Sequence, residues 1–158
     1  MEQKTVHIGA DHAGFELKEH LKRFLQKKGY TVKDLGAHKI IKGDDYPDYA
    51  AKVAKAVQKK GMGILVCGSA EGICIAANKF KGIRAEPIRS VQLAKLSRQH
   101  NDANILCLAG GKMKHPVPGV ALSKKAAEKI VLTWLKTPFS KEKRHVRRIN
   151  KIKRLEWK

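Results

Sequence analysis

Apolar positions change their period repeatedly along the chain, and those changes mark its elements. Residues 5–10, TVHIGA, are short and β-branched as in a strand, and Leu17, Leu21, Phe24 and Leu25 then recur on one face of a helix that Gly29 stops. Residues 31–35 predict a second strand. After a polar stretch with Gly43, Asp44 and Asp45, a second helix carries Tyr49, Val53 and Val57 at four-residue spacing as far as Gly61. Tyr46 and Pro47 are read as the start of that helix rather than as substrate contacts. Residues 62–67, MGILVC, form a nearly unbroken apolar run, the pattern of a strand covered on both faces of a parallel sheet, and are the candidate central strand. The tight loop GSAEG at 68–72 leads into a short small-residue helix at 73–79. Further strands are predicted at 82–85 and 104–109, separated by a helix with Val91, Leu93 and Leu96 that ends near His100. Pro116 and Pro118 mark a loop before a late helix at 120–136, striped by Ala127, Ile130, Val131, Trp134 and Leu135 and ended by Pro138.

This alternation over about five units predicts an α/β fold, a five-stranded parallel sheet with helices on both faces joined by right-handed crossovers. Ligands in such sheets bind beyond the carboxyl ends of the strands, so the loops after Ala10, Cys67 and Ala109 are where chemistry is expected. Residues 141–158 carry nine Lys or Arg against Glu142 and Glu156, with Val146, Ile149, Ile152 and Leu155 at three-residue spacing. They predict a basic amphipathic helix that docks on its own fold or on a second copy, which makes a dimer the expected assembly. The 158 residues, 42% of them hydrophobic, suffice for one domain spanning 1–158.

Charge adds a constraint on partners. Thirty-four Lys and Arg against 14 Asp and Glu leave a formal net charge of +20, which favours anionic or phosphorylated ligands. No apolar run is long enough to span a membrane and the N-terminal residues do not resemble a signal peptide, so a cytoplasmic location is expected. Cys67, Cys74 and Cys107 form no CxxC pair and are odd in number, which argues against a disulfide framework and against a zinc site.

Several residues have two readings. Asp11 and His12 follow the first strand directly and would grip hydroxyls and an anion; alternatively Asp11 caps the next helix and His12 is merely exposed. Cys67 ends the central strand, where loop N–H groups and a helix N-terminus would favour thiolate; alternatively it is a small buried hydrophobe, the reading preferred for Cys74 and Cys107. The segment Gly68, Ser69, Ala70, Glu71, Gly72 offers successive N–H donors for an anion or as an oxyanion hole, and lacks the full dinucleotide and P-loop patterns. Ser69 relays a proton or caps the helix. His100 and Asn101 suit acid–base work and the holding of a substrate oxygen, or ordinary helix termination. Arg144 and Arg148 share a helix face beside His145 and would clamp a phosphate, or belong to a generic basic face.

Taken together, GADHAGFELK at 9–18, DYPDYA at 45–50, GILVCGSAEGICIAANKFKGIRA at 63–85, LSRQHNDANIL at 96–106 and RHVRR at 144–148 resemble the ribose-5-phosphate isomerase B family, which also includes subunits of galactose-6-phosphate isomerase. The matches are ordered and spread over most of the chain. The resemblance implies a Rossmann-like α/β/α sandwich, a homodimer or dimer of dimers with the active site at the subunit interface, no metal and no organic cofactor. It implies aldose–ketose isomerisation of a sugar phosphate through an enediolate, with Cys67 as the base between C1 and C2 and His100 opening the furanose ring. Asp11 and Asn101 would hold sugar oxygens, residues 68–72 the enediolate oxygens, and Ser69 would assist proton transfer. His12, Arg144 and Arg148, joined by His145, would receive the phosphate, some of them from the neighbouring subunit. Some relatives place a glutamate base after the second loop glycine, but here that residue is Ile73, so the cysteine type is indicated.

Three positions depart from the family pattern. Ala70 stands where glycine is usual, Glu71 adds a carboxylate read as a solvated loop residue, and Lys112 follows Gly110-Gly111 where an arginine is common. Lys112 would replace that arginine as a point charge. The leading expectation is interconversion of D-ribose 5-phosphate and D-ribulose 5-phosphate. The alternatives are a six-carbon substrate, allose 6-phosphate or galactose 6-phosphate, and a basic nucleic-acid-binding protein, which the absence of any recognition motif disfavours.

Overall fold

The computed structural model describes residues 5–156; Trp157 and Lys158, the end of the expected tail, lie outside the described residues. The elements follow the order β1 (Thr5–Ala10), α1 (Phe15–Lys27), β2 (Thr31–Asp34), α2 (Tyr46–Lys59), β3 (Met62–Cys67), α3 (Glu71–Ala77), β4 (Ala85–Pro87), α4 (Val91–Asn101), β5 (Ile105–Ala109), α5 (Lys124–Lys136) and α6 (Lys143–Leu155). All five strands pair in parallel in the order β2-β1-β3-β5-β4, so the apolar run at 62–67 is the central strand. Ile64, Leu65 and Val66 are fully buried because helices cover both faces. On one side Leu17, Leu21 and Leu25 of α1 join Ala94 of α4 and the Ala127, Ile130, Val131, Trp134 and Leu135 stripe of α5. On the other, Ala50, Val53, Ala54 and Val57 of α2 pack with Ile73, Cys74 and Ala77 of α3. No helix among the described residues is long and apolar enough to cross a membrane.

Three element starts differ from the sequence reading by two residues or more, each for a local reason. The fourth strand is Ala85–Pro87 and not 82–85, because residues before it are held by asparagine amides: Arg84 N–H donates to Asn104 Oδ1 (2.8 Å) and Ala85 N–H to Asn78 Oδ1 (2.8 Å). As an edge strand β4 tolerates Pro87. Helix α3 runs from Glu71 and not 73, because Ala70 turns into the left-handed region at φ 72° and ends the loop two residues early. Helix α5 starts at Lys124 and not 120, where Ser123 Oγ accepts from Ala126 N–H (3.1 Å).

The basic tail is a helix, but its stripe docks only in part. Ile149 and His145 are buried, in α6's packing on α4, while Val146, Ile152 and Leu155 stay exposed. On α4 itself Leu93 and Leu96 are exposed and Ala94 and Ser97 are buried.

Candidate active site

The chain runs from β1 outward to β2 and then back to β3, so the strand order reverses between β1 and β3. At such a switch point the adjacent loops splay apart and leave a crevice above the carboxyl ends. A cleft of about 280 Å³ lies there, and Asp11 and His12 after β1 face Cys67, Gly68 and Ser69 after β3 across it. The walls approach closely because they lack side chains. A Cβ on Gly14 would collide with the Val66 carbonyl, and one on Gly72 would stand 2.7 Å from the Tyr46 hydroxyl. Gly72 therefore lets the Tyr46 ring close one side of the cleft.

Cys67 is buried at 4% exposure. Burial pushes its thiol above the ordinary value, the charge of Asp11 adds to that, and the N–H groups of Ile73, Ala70 and Ser69 oppose it. The expected preference for thiolate is thus corrected for the isolated chain: the α3 N-terminus does serve the sulfur, but desolvation is the larger effect. Cys74 and Cys107 are buried, and the Cys74 thiol donates to the Ala85 carbonyl (3.2 Å).

Asp11 is 5% exposed, and its Oδ1 accepts from Gly14 N–H (3.0 Å), so it closes the turn before α1 as well as lining the cleft. Burial raises its pKa. His12 is gripped from behind by Asp44, whose Oδ1 takes both the His12 backbone N–H (2.9 Å) and Nδ1 (2.7 Å), while Tyr49 O–H donates to Oδ2 (2.8 Å). These donors hold the Asp44 carboxyl below its ordinary value against the effect of burial. Asp11, His12 and Asp44 bring donor atoms within 4.8 Å of one another, the one such trio among the described residues, and hydrogen bonds already engage all three side chains.

Only part of the sequence-derived set meets here. Asp11, His12, Cys67, Gly68, Ser69 and Gly72 line the cleft, and buried Ala70 forms the turn beneath it. Glu71 does not line it and pairs instead with Arg89. Lys112 is also turned away, with its ammonium 3.5 Å from Glu16, and Met113 and Lys114 of the same loop line the cleft in its place. Tyr46 starts α2 and also lines the cleft, which corrects the reading of it as a helix start alone. Asp44 carries no signal in the sequence because its contact to His12 spans 32 residues and leaves no local pattern; the acidic pair before α2 is its only trace.

His100, Asn101, Arg144, His145 and Arg148 gather elsewhere. Helix α4 returns toward the start of β5, whereas Cys67 is in register with Ala109 at its end. The four residue steps of β5 separate the two ends by about 13 Å. There the rings of His100 and His145 lie 4.3 Å apart, Ser140 Oγ bonds His145 Nδ1 (2.8 Å), and Asn101 donates to Glu86 (2.6 Å). Burial and the neighbouring charges of His100, Arg144 and Arg148 depress the His145 pKa. Arg144 Nε donates to Glu142 (2.9 Å), and both arginines project from the exposed side of α6.

Residues 6–152 match the family model described as Ribose/Galactose Isomerase. The chain is 41% identical over 155 residues to the probable ribose-5-phosphate isomerase B of Mycoplasma genitalium, covering 96% of this chain and 95% of that protein. The crystal structure of ribose-5-phosphate isomerase B from the same organism with bound ribulose-5-phosphate superposes with a TM-score of 0.86 at 40% identity, over 96% of this chain and 95% of that one. The type B ribose 5-phosphate isomerase of Trypanosoma brucei gives a TM-score of 0.87 at 40% identity, over 98% of this chain and 99% of that one.

Proposed function

The chain belongs to the Ribose/Galactose Isomerase family, and on that premise we propose that it interconverts D-ribose 5-phosphate and D-ribulose 5-phosphate with Cys67 as the base. The Cys67 thiolate removes the proton from C2 of the open-chain aldose, and the C–H electrons form the C1–C2 double bond of an enediolate. The negative charge moves onto the former carbonyl oxygen. N–H groups of the loop from Gly68 to Gly72 receive that charge, and Ser69 assists proton movement between the oxygens. The thiol then returns its proton to C1, which completes the ketose. The observation that carries this reading is the buried Cys67 thiol lining a small cleft, with N–H groups of Ser69, Ala70 and Ile73 bonded to the sulfur and Asp11 and His12 on the same cleft.

A second copy of the chain completes the site in this reading. Ring opening by His100, the hold of Asn101 on a sugar oxygen and the phosphate clamp of Arg144, His145 and Arg148 belong to a cluster at the end of α4, before the start of β5, whereas Cys67 is level with the end of β5, about 13 Å further along that strand. The exposed Leu93 and Leu96 of α4, the helix that carries His100 and Asn101, and the exposed Ile75 of α3 support burial of apolar surface against a partner, as a homodimer or a dimer of dimers. A cytoplasmic location suits a mechanism that needs a reduced thiol, and the three cysteines are free.

Incubation with ribose 5-phosphate in deuterated water tests the assignment. Ketose carrying deuterium at C1, and exchange of deuterium into C2 of the remaining aldose, are expected by NMR and are expected to vanish in Cys67→Ala while the assembly persists. Undiminished turnover in that variant would remove Cys67 from the mechanism. Turnover of allose 6-phosphate or galactose 6-phosphate alone would move the substrate to six carbons.

A further inference from the structure

We propose that Asp44 is a positioning residue for substrate binding: by holding Nδ1 of His12 it leaves Nε2 as the ring's only free nitrogen, so that His12 binds the phosphate end as an imidazolium and takes up a proton when it does so. The proposal rests on the isomerase reading for the identity of the anion and on the geometry of the cleft for everything else.

Asp44 has no competing use. Its side chain is 8% exposed, and its two oxygens accept three hydrogen bonds, from the backbone N–H and Nδ1 of His12 and from the Tyr49 hydroxyl. A carboxylate is an acceptor only, so Nδ1 is the donor and carries a hydrogen in every protonation state of the ring. Nε2 has no protein partner among the described residues, and His12 lines the cleft. On a neutral ring clamped in this way Nε2 presents a lone pair, which repels a phosphate oxygen. It becomes a donor only when the ring is charged. A histidine without the clamp has an escape, since its neutral form can place the hydrogen on Nε2 and still donate.

Tyr49 completes the device from α2. Its hydroxyl pKa is pushed up to about 12 by burial and by Asp44, so it remains a donor throughout the working range and fixes the plane of the carboxylate. The other titratable groups around the ring are Asp11 on its own loop, Tyr46 at the start of α2, Cys67 at the end of β3 and Lys114 from the loop after β5.

The consequence is a KM that depends on pH through His12 and loses that dependence without the clamp. Asp44→Ala removes the charge and the single oxygen that both His12 bonds share, which frees the Nε2–H tautomer. KM for ribose 5-phosphate is expected to rise about tenfold on the acid side, the loss of one charge-assisted hydrogen bond, with kcat within about twofold and a flatter dependence of KM on pH. Nitrogen-15 NMR of the imidazoles tests the clamp without turnover. Neutral His12 in the wild-type protein is expected with hydrogen on Nδ1, and titration with inorganic phosphate is expected to protonate Nε2. Tyr49→Phe, which spares both bonds to His12, is expected to loosen the same signature only partly. A wild-type ring with hydrogen on Nε2 overturns the proposal, as does an Asp44→Ala protein whose KM keeps the wild-type pH dependence. If ribose 5-phosphate is not turned over, the tautomer and the phosphate titration still decide the role of Asp44, and only the isomerase reading fails.

Discussion

At the scale of single residues, Ala70 holds a conformation that its side chain opposes. It sits at φ 72° with 1% exposure, directly under the cleft, and an L side chain in the left-handed region costs about 1 kcal/mol relative to glycine. Ala70→Gly is therefore expected to raise the thermal midpoint by about 2–4 °C for a chain of this size. A midpoint that falls would show that the Ala70 methyl contributes more to packing than its backbone strain costs. Cys67 supplies a second residue-level expectation. With the thiol raised by burial and by the Asp11 charge, the thiolate fraction grows through the alkaline range, so kcat/KM is expected to climb with pH. Asp11→Asn removes one of the raising influences and is expected to shift that climb to lower pH; an unmoved profile would detach Asp11 from Cys67 electrostatically.

At the scale of elements, α1 and β2 are fastened by an ion pair of low exposure. The Lys18 ammonium is 0% exposed and bonds both oxygens of Asp34 (3.0 and 2.9 Å) and the Ala37 carbonyl (2.6 Å), and Lys22 adds a bond to Asp34 (2.7 Å). Burial raises the Asp34 pKa, but these lysines and the Gly36 N–H prevail and bring it to about 2. The folded value lies below the unfolded one, so the contribution, about 2 kcal/mol, is complete above about pH 4 and is lost as pH falls toward 2. Asp34→Asn leaves the Lys18 charge with Glu19 as its remaining carboxylate and is expected to cost about 3 kcal/mol at neutral pH. The deficit should narrow in acid. Denaturation curves that differ by the same amount at both pH values would contradict this.

The same elements show what a sequence discloses. The five strands and the central position of 62–67 were legible because a strand buried on both faces has to be apolar at nearly every position. The start of β4 was not, because the amides of Asn78 and Asn104, neither of them in a strand, decide where its ladder begins. In the site, Asp11, His12 and Cys67 were legible because each directly follows or ends a strand. Tyr46 and Lys114 reach the cleft from a helix start and a loop, and Asp44 reaches His12 from behind it, by contacts that no local period records.

At the scale of the whole molecule, the decisive fact is that one chain holds the two halves of the proposed machinery at opposite ends of its sheet. Cys67 is level with the end of β5, and His100 lies before its start. If each site takes Cys67 from one copy and His100 from the other, Cys67→Ala and His100→Ala are each inactive alone but complementary when mixed. A mixed dimer then contains one site with both residues altered and one with neither. Random reassortment makes half the dimers mixed, so turnover is expected to recover to about a quarter of the wild-type value after the two inactive proteins are unfolded and refolded together. Recovery should also fall on dilution below the dissociation range of the dimer. If the mixture stays inactive while its dimers are shown by mass to be hybrids, both residues act within one chain, and α4 would have to move by most of the length of β5 to bring them together.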